Sequence, residues 1–375
     1  MKKIIKTGLI ALLVIPAFVR CSDWTEAEAL DYDPNKTESN HGEAYYANLR
    51  DYKLRKDHPV AFAWYSDWTG VGTDMSSQLM GMPDSMDFVS MWGNWYGLSD
   101  EKKEDLRKVQ QIKGTRVLMC FIVDDIGAQT TPPAISESLT VDGVQYETRG
   151  EALGAFWGWY QEGYSGTVYK SDPNLSDDEA MDKAIRKYAQ SLLDTINKYN
   201  WDGFDLDLEP HYGHGGNLAS YPDRLSILLN ELSKELGPQS GTSKMLCVDG
   251  EPEWLNGEDG KLLDYFILQA YNDSSVSSID SRINSLLATY QEHMTPEQIV
   301  GMTILTSNFE SYGSTGGPTF RQRDGSTTNQ LSGYAAYSYP GVDARIGGIG
   351  AFRIVFDTNY QYLRKAIGIM NPAIL

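Results

Sequence analysis

Three carboxyl side chains occupy alternate positions in the segment 201–210, which reads WDGFDLDLEP. Alternate residues of a β-strand share one face, so Asp205, Asp207 and Glu209 should project together, about 7 Å from one to the next. Carboxyls this close are costly to bury as anions, so repulsion and desolvation favour retained or shared protons. We expect this coupling to keep Glu209 protonated near neutral pH, as a general acid requires.

Two other interpretations of this segment are open. Three such oxygens could bind a hard cation, and an edge strand could carry one charged face in water. The opposite face consists of Phe204, Leu206 and Leu208, which argues against a fully solvated strand. The segment therefore favours acid–base catalysis.

The elements that would position these carboxyls alternate along the chain. Ser176 and Glu179 form a capping box that starts a helix, and segments 222–236 and 278–291 are also predicted helices. Eight apolar runs predict strands at residues 60–64, 86–92, 116–123, 203–209, 245–248, 265–271, 299–305 and 349–356. Such alternation predicts an α/β fold, the (β/α)8 TIM barrel, with Glu209 at its C-terminal mouth. A doubly wound open sheet is the alternative.

The segment Asp202–Glu209 resembles the DGxDxDxE signature of glycoside hydrolase family 18, with every fixed position present. This family includes chitinases and endo-β-N-acetylglucosaminidases on TIM barrels. The resemblance implies substrate-assisted hydrolysis with retention, an exception to the two-carboxylate rule. Glu209 would protonate the glycosidic oxygen while the substrate's 2-acetamido oxygen attacks the anomeric carbon. Asp207 would hold the acetamido N–H, and Asp205 would tune Asp207.

A second match is the tetrapeptide QAYN at 269–272. In the family a tyrosine at this place binds the acetamido oxygen, which assigns that role to Tyr271. Gln269 and Asn272 are more similar to endoglycosidases that cleave N-glycans than to chitinases, and we expect both to bind substrate. A buried Gln–Tyr hydrogen bond without a ligand is the alternative.

Aromatic residues near the predicted strand ends are further candidates for sugar contacts. Trp64 ends the first predicted strand and Trp92 ends the second, and core packing is the alternative for both. The segment 124–175 predicts a long insertion after the third strand, with an aromatic run at 156–160. These rings form either a sugar platform or the insertion's own core.

Two segments depart from the family pattern and bear on the substrate. The third predicted strand lacks the family's Ser-x-Gly-Gly pattern, and the eighth lacks the tryptophan that usually ends it in chitinases. The resemblance therefore predicts hydrolysis of the GlcNAc-β1,4-GlcNAc core of N-glycans, with no metal and no organic cofactor. The alternatives are a chitinase and a non-catalytic glycan-binding protein on the same barrel.

The first twenty residues predict an export signal. A basic start precedes an apolar run at 7–18 that is too short to span a bilayer. Cys21 follows, which resembles a lipoprotein signal with lipidation at Cys21, and the acidic residues behind it resemble the surface-export tag of Bacteroidetes-type lipoproteins. We expect a signal peptide at 1–20, an acidic tether at 21–57 and the catalytic domain at 58–375, anchored by lipid at the outer-membrane surface. Plain secretion is the alternative.

Composition excludes several partners. The 375 residues include 32 Lys and Arg against 51 Asp and Glu, a formal charge of −19. This charge argues against nucleic acids and against electrostatic docking on anionic lipid. Cys120 and Cys247 lie in strand-like runs, which indicates buried free thiols rather than a disulfide framework or a zinc site.

Overall fold

The computed structural model of the chain describes residues 41–72 and 74–372. Within these residues the strands are β1 (Val60–Tyr65), β2 (Phe88–Trp92), β3 (Arg116–Ile122), β4 (Thr140–Val141), β5 (Val144–Gln145), β6 (Trp159–Gln161), β7 (Val168–Lys170), β8 (Gly203–Leu208), β9 (Met245–Gly250), β10 (Tyr265–Leu268), β11 (Thr303–Asn308), β12 (Thr319–Arg321), β13 (Thr327–Asn329) and β14 (Gly348–Phe352). The helices are α1 (Glu43–Leu54), α2 (Asp100–Lys108), α3 (Pro133–Ser136), α4 (Arg149–Trp157), α5 (Asp177–Tyr199), α6 (Pro222–Leu232), α7 (Val276–Tyr290), α8 (Pro296–Met302), α9 (Phe309–Tyr312), α10 (Gln330–Ala335) and α11 (Gln361–Met370).

Eight parallel strands close into a barrel in the order β1-β2-β3-β8-β9-β10-β11-β14. This closure confirms the predicted (β/α)8 TIM barrel and excludes the doubly wound open sheet. The predicted long insertion lies between β3 and β8, which are hydrogen-bonded neighbours in the barrel. The carboxyl ends of all eight strands meet at one mouth, because the strands are parallel.

Strand β8 is buried on both faces, as parallel barrel strands are. Phe204, Leu206 and Leu208 pack into the layer under the helices, while Asp205 and Asp207 face the interior. A glycine is required at the start of the strand. Gly203 has a φ of +149°, and a Cβ there would lie 2.1 Å from the carbonyl oxygen of Met245.

Helix α5 connects the insertion to β8. The predicted capping box is present, with Ser176 and Glu179 each bonding the other's backbone N–H. Ile185 and Leu192 on its inner face are buried. The helix ends at Asn200, whose left-handed backbone turns the chain into the strand, since asparagine tolerates this conformation well.

The predicted strand boundaries differ from the structure by four residues at two places and by three or fewer elsewhere. Residues 299–302 belong to helix α8, because Thr295 and Gln298 form a capping box and Pro296 begins the helix. The eighth barrel strand ends at Phe352, because Arg353 adopts a left-handed φ of 50° that a strand cannot continue.

Part of the predicted tether is folded. Helix α1 lies within residues 21–57, and its Tyr46 and Lys53 are buried. Lys53 donates a hydrogen bond to Thr115 across 2.7 Å, which fastens the helix beside β3, so the compact domain begins before residue 58. Cys21 and the predicted signal peptide lie outside the described residues. No helix in the described ranges has the length and apolarity needed to cross a bilayer.

The insertion contains helices α3 and α4 and two small hairpins, β4–β5 and β6–β7. Trp157, Trp159 and Tyr160 are buried, and the Trp157 ring lies 5.7 Å from the ring of Tyr188 on α5. This part of the aromatic run therefore packs the insertion against the barrel. Tyr164, in contrast, is exposed.

Candidate active site

Three aspartates meet inside the barrel near its carboxyl end. Asp205 and Asp207 come from β8, and Asp249 comes from β9, where it is the register partner of Asp207. Their exposed fractions are 0%, 2% and 0%. The predicted alternation of β8 thus places two of the three motif carboxyls in a dry interior and adds a third from the neighbouring strand. We call these three residues the aspartate cluster.

The aspartate cluster is fixed by donors from other strands. Ser90 on β2 donates to Asp205 across 2.6 Å. The Nε2 group of Gln269, just after β10, lies 3.2 Å from Asp207 and 2.8 Å from Asp249. One amide therefore bridges two carboxyls, which fixes their spacing.

Burial without a counter-charge changes the acidity of the cluster. Burial raises the pKa of Asp205 to about 6, although hydrogen bonds from Ser90 and others oppose the shift. Burial and then the charge of Glu209 raise the pKa of Asp207 well above its usual range. Burial and then the charges of Asp207 and Asp205 do the same to the pKa of Asp249. The cluster therefore retains protons at a pH at which free carboxyls have lost them.

Glu209 follows β8 directly and is partly exposed, whereas the two motif aspartates are not. The backbone of Gly250 at the end of β9 packs closely against Leu208 and Glu209. Gly250 has a φ of +85°, and a Cβ there would lie 2.4 Å from the carbonyl oxygen of Leu208 and 3.2 Å from Cγ of Glu209. Asp207 hydrogen-bonds to Glu209. Glu209 is thus the motif carboxyl that a ligand in the mouth can reach.

The turn after Glu209 is also fastened to Glu251, the residue that follows β9. The carboxylate of Glu251 accepts hydrogen bonds from the backbone N–H of His211 at 2.9 Å, and its other oxygen lies 3.0 Å from Nδ1 of the same residue. The His211 ring meets Trp254 edge-on. These contacts brace the base of an exposed loop.

The predicted residues after β10 lie beside the cluster. Gln269 and Tyr271 are partly buried, and Asn272 is exposed. Tyr334 donates to the carbonyl oxygen of Ala270 across 2.6 Å, which holds this segment in place. Burial, and then the nearby carboxyl of Asp249, raise the pKa of Tyr271 well above its usual range, so its phenol remains a hydrogen-bond donor.

The two predicted tryptophans differ in position. Trp64 is 1% exposed, and its indole N–H bonds Asp205, so in the structure it supports the cluster rather than offering a face to the mouth. Trp92 is partly exposed. Its ring lies 5.7 Å from Phe352, which in turn lies 6.0 Å from Tyr271. Trp92, Phe352 and Tyr271 form the aromatic floor of the mouth.

Sequence reasoning missed Ser90 and Phe352, and it allowed Asp249 only as a residue that could line the cleft rather than one buried inside the barrel. Each occupies an inward position of its strand, in the alternation that also includes Trp92 on β2, Cys247 on β9 and Gly350 on β14. Applying the alternation rule to every strand, and not to β8 alone, would have found them.

Three donor atoms in and beside the cluster lie close together. Cys120, Asp205 and Asp249 each place one donor atom within 4.8 Å of the others. Burial raises the pKa of the Cys120 thiol well above its usual range, whereas a metal requires the thiolate. Without a bound ion, the thiol of Cys120 therefore stays protonated beside the two carboxyls.

Comparisons with known proteins agree with this geometry. The family model described as "Glycoside hydrolase family 18, BT1044-like" matches residues 25–141 and 167–369. A selenomethionine form of a glutamate-to-glutamine variant of BT1044 is 32% identical, with 88% of this chain and 93% of that chain covered and a TM-score of 0.70.

More distant structures share the fold. The endo-β-N-acetylglucosaminidase from Cordyceps militaris in its apo form is 19% identical, with 91% of this chain and 100% of that chain covered and a TM-score of 0.53. A mutant of that enzyme in complex with fucosyl-N-acetylglucosamine-Asn is 17% identical, with the same coverages and TM-score. A comparison with curated proteins finds no match.

Proposed function

The chain belongs to glycoside hydrolase family 18 and is a glycoside hydrolase, and from this premise we propose that it is a retaining endo-β-N-acetylglucosaminidase. Its substrate would be the GlcNAc-β1,4-GlcNAc core of N-glycans. The products would be a released glycan and a single GlcNAc left on asparagine.

The difference in access between Glu209 and Asp207 carries this proposal. Glu209 reaches the mouth, while Asp207 is 2% exposed and bonded by Gln269. A carboxylate nucleophile must reach the anomeric carbon, and retaining enzymes that use one hold two open carboxyls about 5 Å apart. Asp207 is poorly placed for that attack, so the nucleophile is expected to come from the substrate. A 2-acetamido sugar supplies it.

The proposed reaction has two steps. Glu209 donates its proton to the glycosidic oxygen as that bond breaks, and the acetamido oxygen bonds the anomeric carbon to form an oxazolinium ion. Asp207 accepts the acetamido N–H, and Tyr271 donates to the acetamido oxygen. Glu209 then removes a proton from water, whose oxygen attacks the anomeric carbon and reopens the ring. Two inversions give net retention.

The choice of an N-glycan core over chitin rests on residues around the mouth. Gln269 and Asn272 stand where chitinases commonly carry methionine and aspartate, and Phe352 is the aromatic residue at the end of the eighth barrel strand. The similar enzyme from Cordyceps militaris is an endo-β-N-acetylglucosaminidase.

One experiment separates the proposal from its rivals. The protein is incubated with high-mannose and complex-type glycoproteins and with chitooligosaccharides, and the products are weighed by mass spectrometry. We expect a single GlcNAc on asparagine, and we expect Glu209→Gln to abolish release while glycan binding remains measurable. Glu292→Gln, an exposed position, is the matched control and should release glycan normally.

The outcomes are distinct. Cleavage of chitooligosaccharides alone would make the protein a chitinase. Binding by both wild type and Glu209→Gln without cleavage of any β-GlcNAc linkage would make it a glycan-binding protein on an enzyme's barrel.

We also propose that the enzyme works at the outer-membrane surface, anchored by lipid on Cys21 after removal of residues 1–20. The support is the sequence pattern alone. Cys21→Ser should move the protein from the membrane fraction to the soluble fraction without changing its specific activity. An unchanged membrane fraction would contradict the anchor.

A further inference from the structure

Asp249 lies outside the signature segment yet at the centre of the aspartate cluster. It is on β9, in register with Asp207, and fully buried. Its carboxyl hydrogen-bonds to both Asp205 and Asp207. Because it has no exposed surface, it acts on the reaction through its neighbours and not by touching substrate.

The groups that face Asp249 are acidic or neutral. From β8 they are Asp205 and Asp207, and from β3 the Sγ atom of Cys120 lies 3.8 Å away. From the segment after β10, Gln269 donates to it, and the phenol of Tyr271 is close enough for the Asp249 carboxyl to affect its pKa. Within the described residues no lysine, arginine or histidine makes an ion pair with any member of the cluster. Three carboxylates in one dry layer without a cation cannot all be anions.

The donors around the cluster favour one location for the retained proton. Asp205 receives hydrogen bonds from the Ser90 hydroxyl and the Trp64 indole, and donors of this kind stabilise a carboxylate. Asp249 lies between two carboxyls, so a proton on its carboxyl can be donated to either of them. A proton on an outer member would leave two adjacent anions.

We propose that Asp249 is a positioning residue that keeps its own proton at neutral pH and donates it as a hydrogen bond to Asp207. This bond holds Asp207 as an anion while Glu209 carries the catalytic proton. The proton on Asp249 never enters the reaction. The catalytic consequence rests on the proposed function, since an anionic Asp207 is what the acetamido N–H requires, whereas the location of the proton does not rest on it.

The location of the proton is tested on the resting protein without any substrate. Infrared spectra at neutral pH are compared between wild type and Asp249→Asn, which keeps the shape and a neutral donor. We expect the substitution to remove one protonated-carboxyl band. Asp259→Asn is the control, because Asp259 is also buried but is bonded to Ser226 outside the barrel, and it should leave that band in place. A band that persists in Asp249→Asn would overturn the assignment, whether or not the protein cleaves N-glycans.

The positioning role is tested by the pH dependence of kcat/KM on the N-glycan substrate. The acid limb of this profile is the loss of activity at low pH, where Asp207 would become protonated. Asp249→Asn should lower kcat by less than tenfold and move the acid limb by less than about half a pH unit, because one neutral donor replaces another. Asp249→Ala removes the donor to Asp207 and should move the acid limb upward by about one pH unit, a tenfold change in the ionisation constant.

Two outcomes would contradict this role. A large downward shift of the limb in Asp249→Asn would mean that Asp249 is an anion in the wild type. Equal losses in both variants without any shift of the limb would mean a purely structural role. Thermal unfolding curves confirm that each variant is folded before its profile is interpreted.

Discussion

Replacing Asp205 with asparagine should make the protein more stable at neutral pH and nearly inactive. Burial raises the pKa of Asp205 to about 6, whereas an aspartate in an unfolded chain has a pKa of about 3.9. The folded state therefore binds this proton more tightly than the unfolded state, so stability falls as pH rises from the unfolded pKa through the folded one. Above that window the cost is about 3 kcal/mol, at about 1.36 kcal/mol for each unit.

Asparagine has no proton to lose, and it can still accept the hydrogen bond from Ser90. For a domain of about 330 ordered residues the entropy of unfolding is about 0.7 kcal/mol/K, so 3 kcal/mol corresponds to a rise in Tm of about 4 °C. We expect that rise at pH 7 and its disappearance as pH falls through 4. The assay is thermal unfolding of both proteins at several pH values.

The control for this experiment is Asp194→Asn on the exposed side of helix α5, which removes the same formal charge from the chain's surface. It should change Tm by less than 1 °C, since exposed charges contribute little. The reasoning is refuted if Asp205→Asn is less stable than wild type at pH 7, or if its advantage is the same at pH 4. Either result would mean that the donors around Asp205 outweigh the cost of burying its carboxylate.

Three further predictions concern the mouth and the base of the barrel. Tyr271→Phe should lower kcat about tenfold to a hundredfold with little change in KM, because the lost donor stabilises charge that develops on the acetamido oxygen only during the reaction. Steady-state kinetics on a glycopeptide measures this change. Phe352→Ala should raise KM, and Phe352→Leu should recover less of the affinity than Phe352→Trp, if a flat ring is what binds the sugar; a titration with an oligosaccharide compares the three. Burial lowers the pKa of Lys53 to about 7, so the folded state binds this proton more weakly than the unfolded state does. The free energy of unfolding should therefore rise as pH increases from about 7 to about 10. Denaturant titrations measure this rise, and Lys53→Met should lack it.

The barrel itself could be predicted from the sequence because its signals are local. Each barrel strand is a short apolar run that ends in polar residues, and β8 adds a strict alternation that separates Asp205 and Asp207 from Phe204 and Leu206. The capping box of Ser176 and Glu179 predicted the start of helix α5. Such features depend on neighbours within four residues, so a single sequence contains them.

What the sequence did not predict depends on contacts between distant segments. Lys53 reaches Thr115 only once the barrel has formed, so α1 was indistinguishable from a polar tether. Ser90 and Asp205 are 115 residues apart, and no local sequence pattern predicts the contact between them. The same holds for Phe352, whose role as an aromatic floor follows from closure of the barrel between β14 and β1.

The cost of the aspartate cluster identifies it as a functional rather than a structural feature. Salt bridges can offset the burial of charge, yet no cation within the described residues pairs with Asp205, Asp207 or Asp249, and Oδ1 of Asp205 has no hydrogen-bond partner there. A core built only for stability would place apolar residues in this layer, as the barrel does one layer lower with Phe62 and Phe88. The fold therefore retains an arrangement that weakens it at neutral pH. What the arrangement supplies is a set of carboxyls whose protons are held in fixed places beside Glu209, and acid catalysis at neutral pH needs such a set.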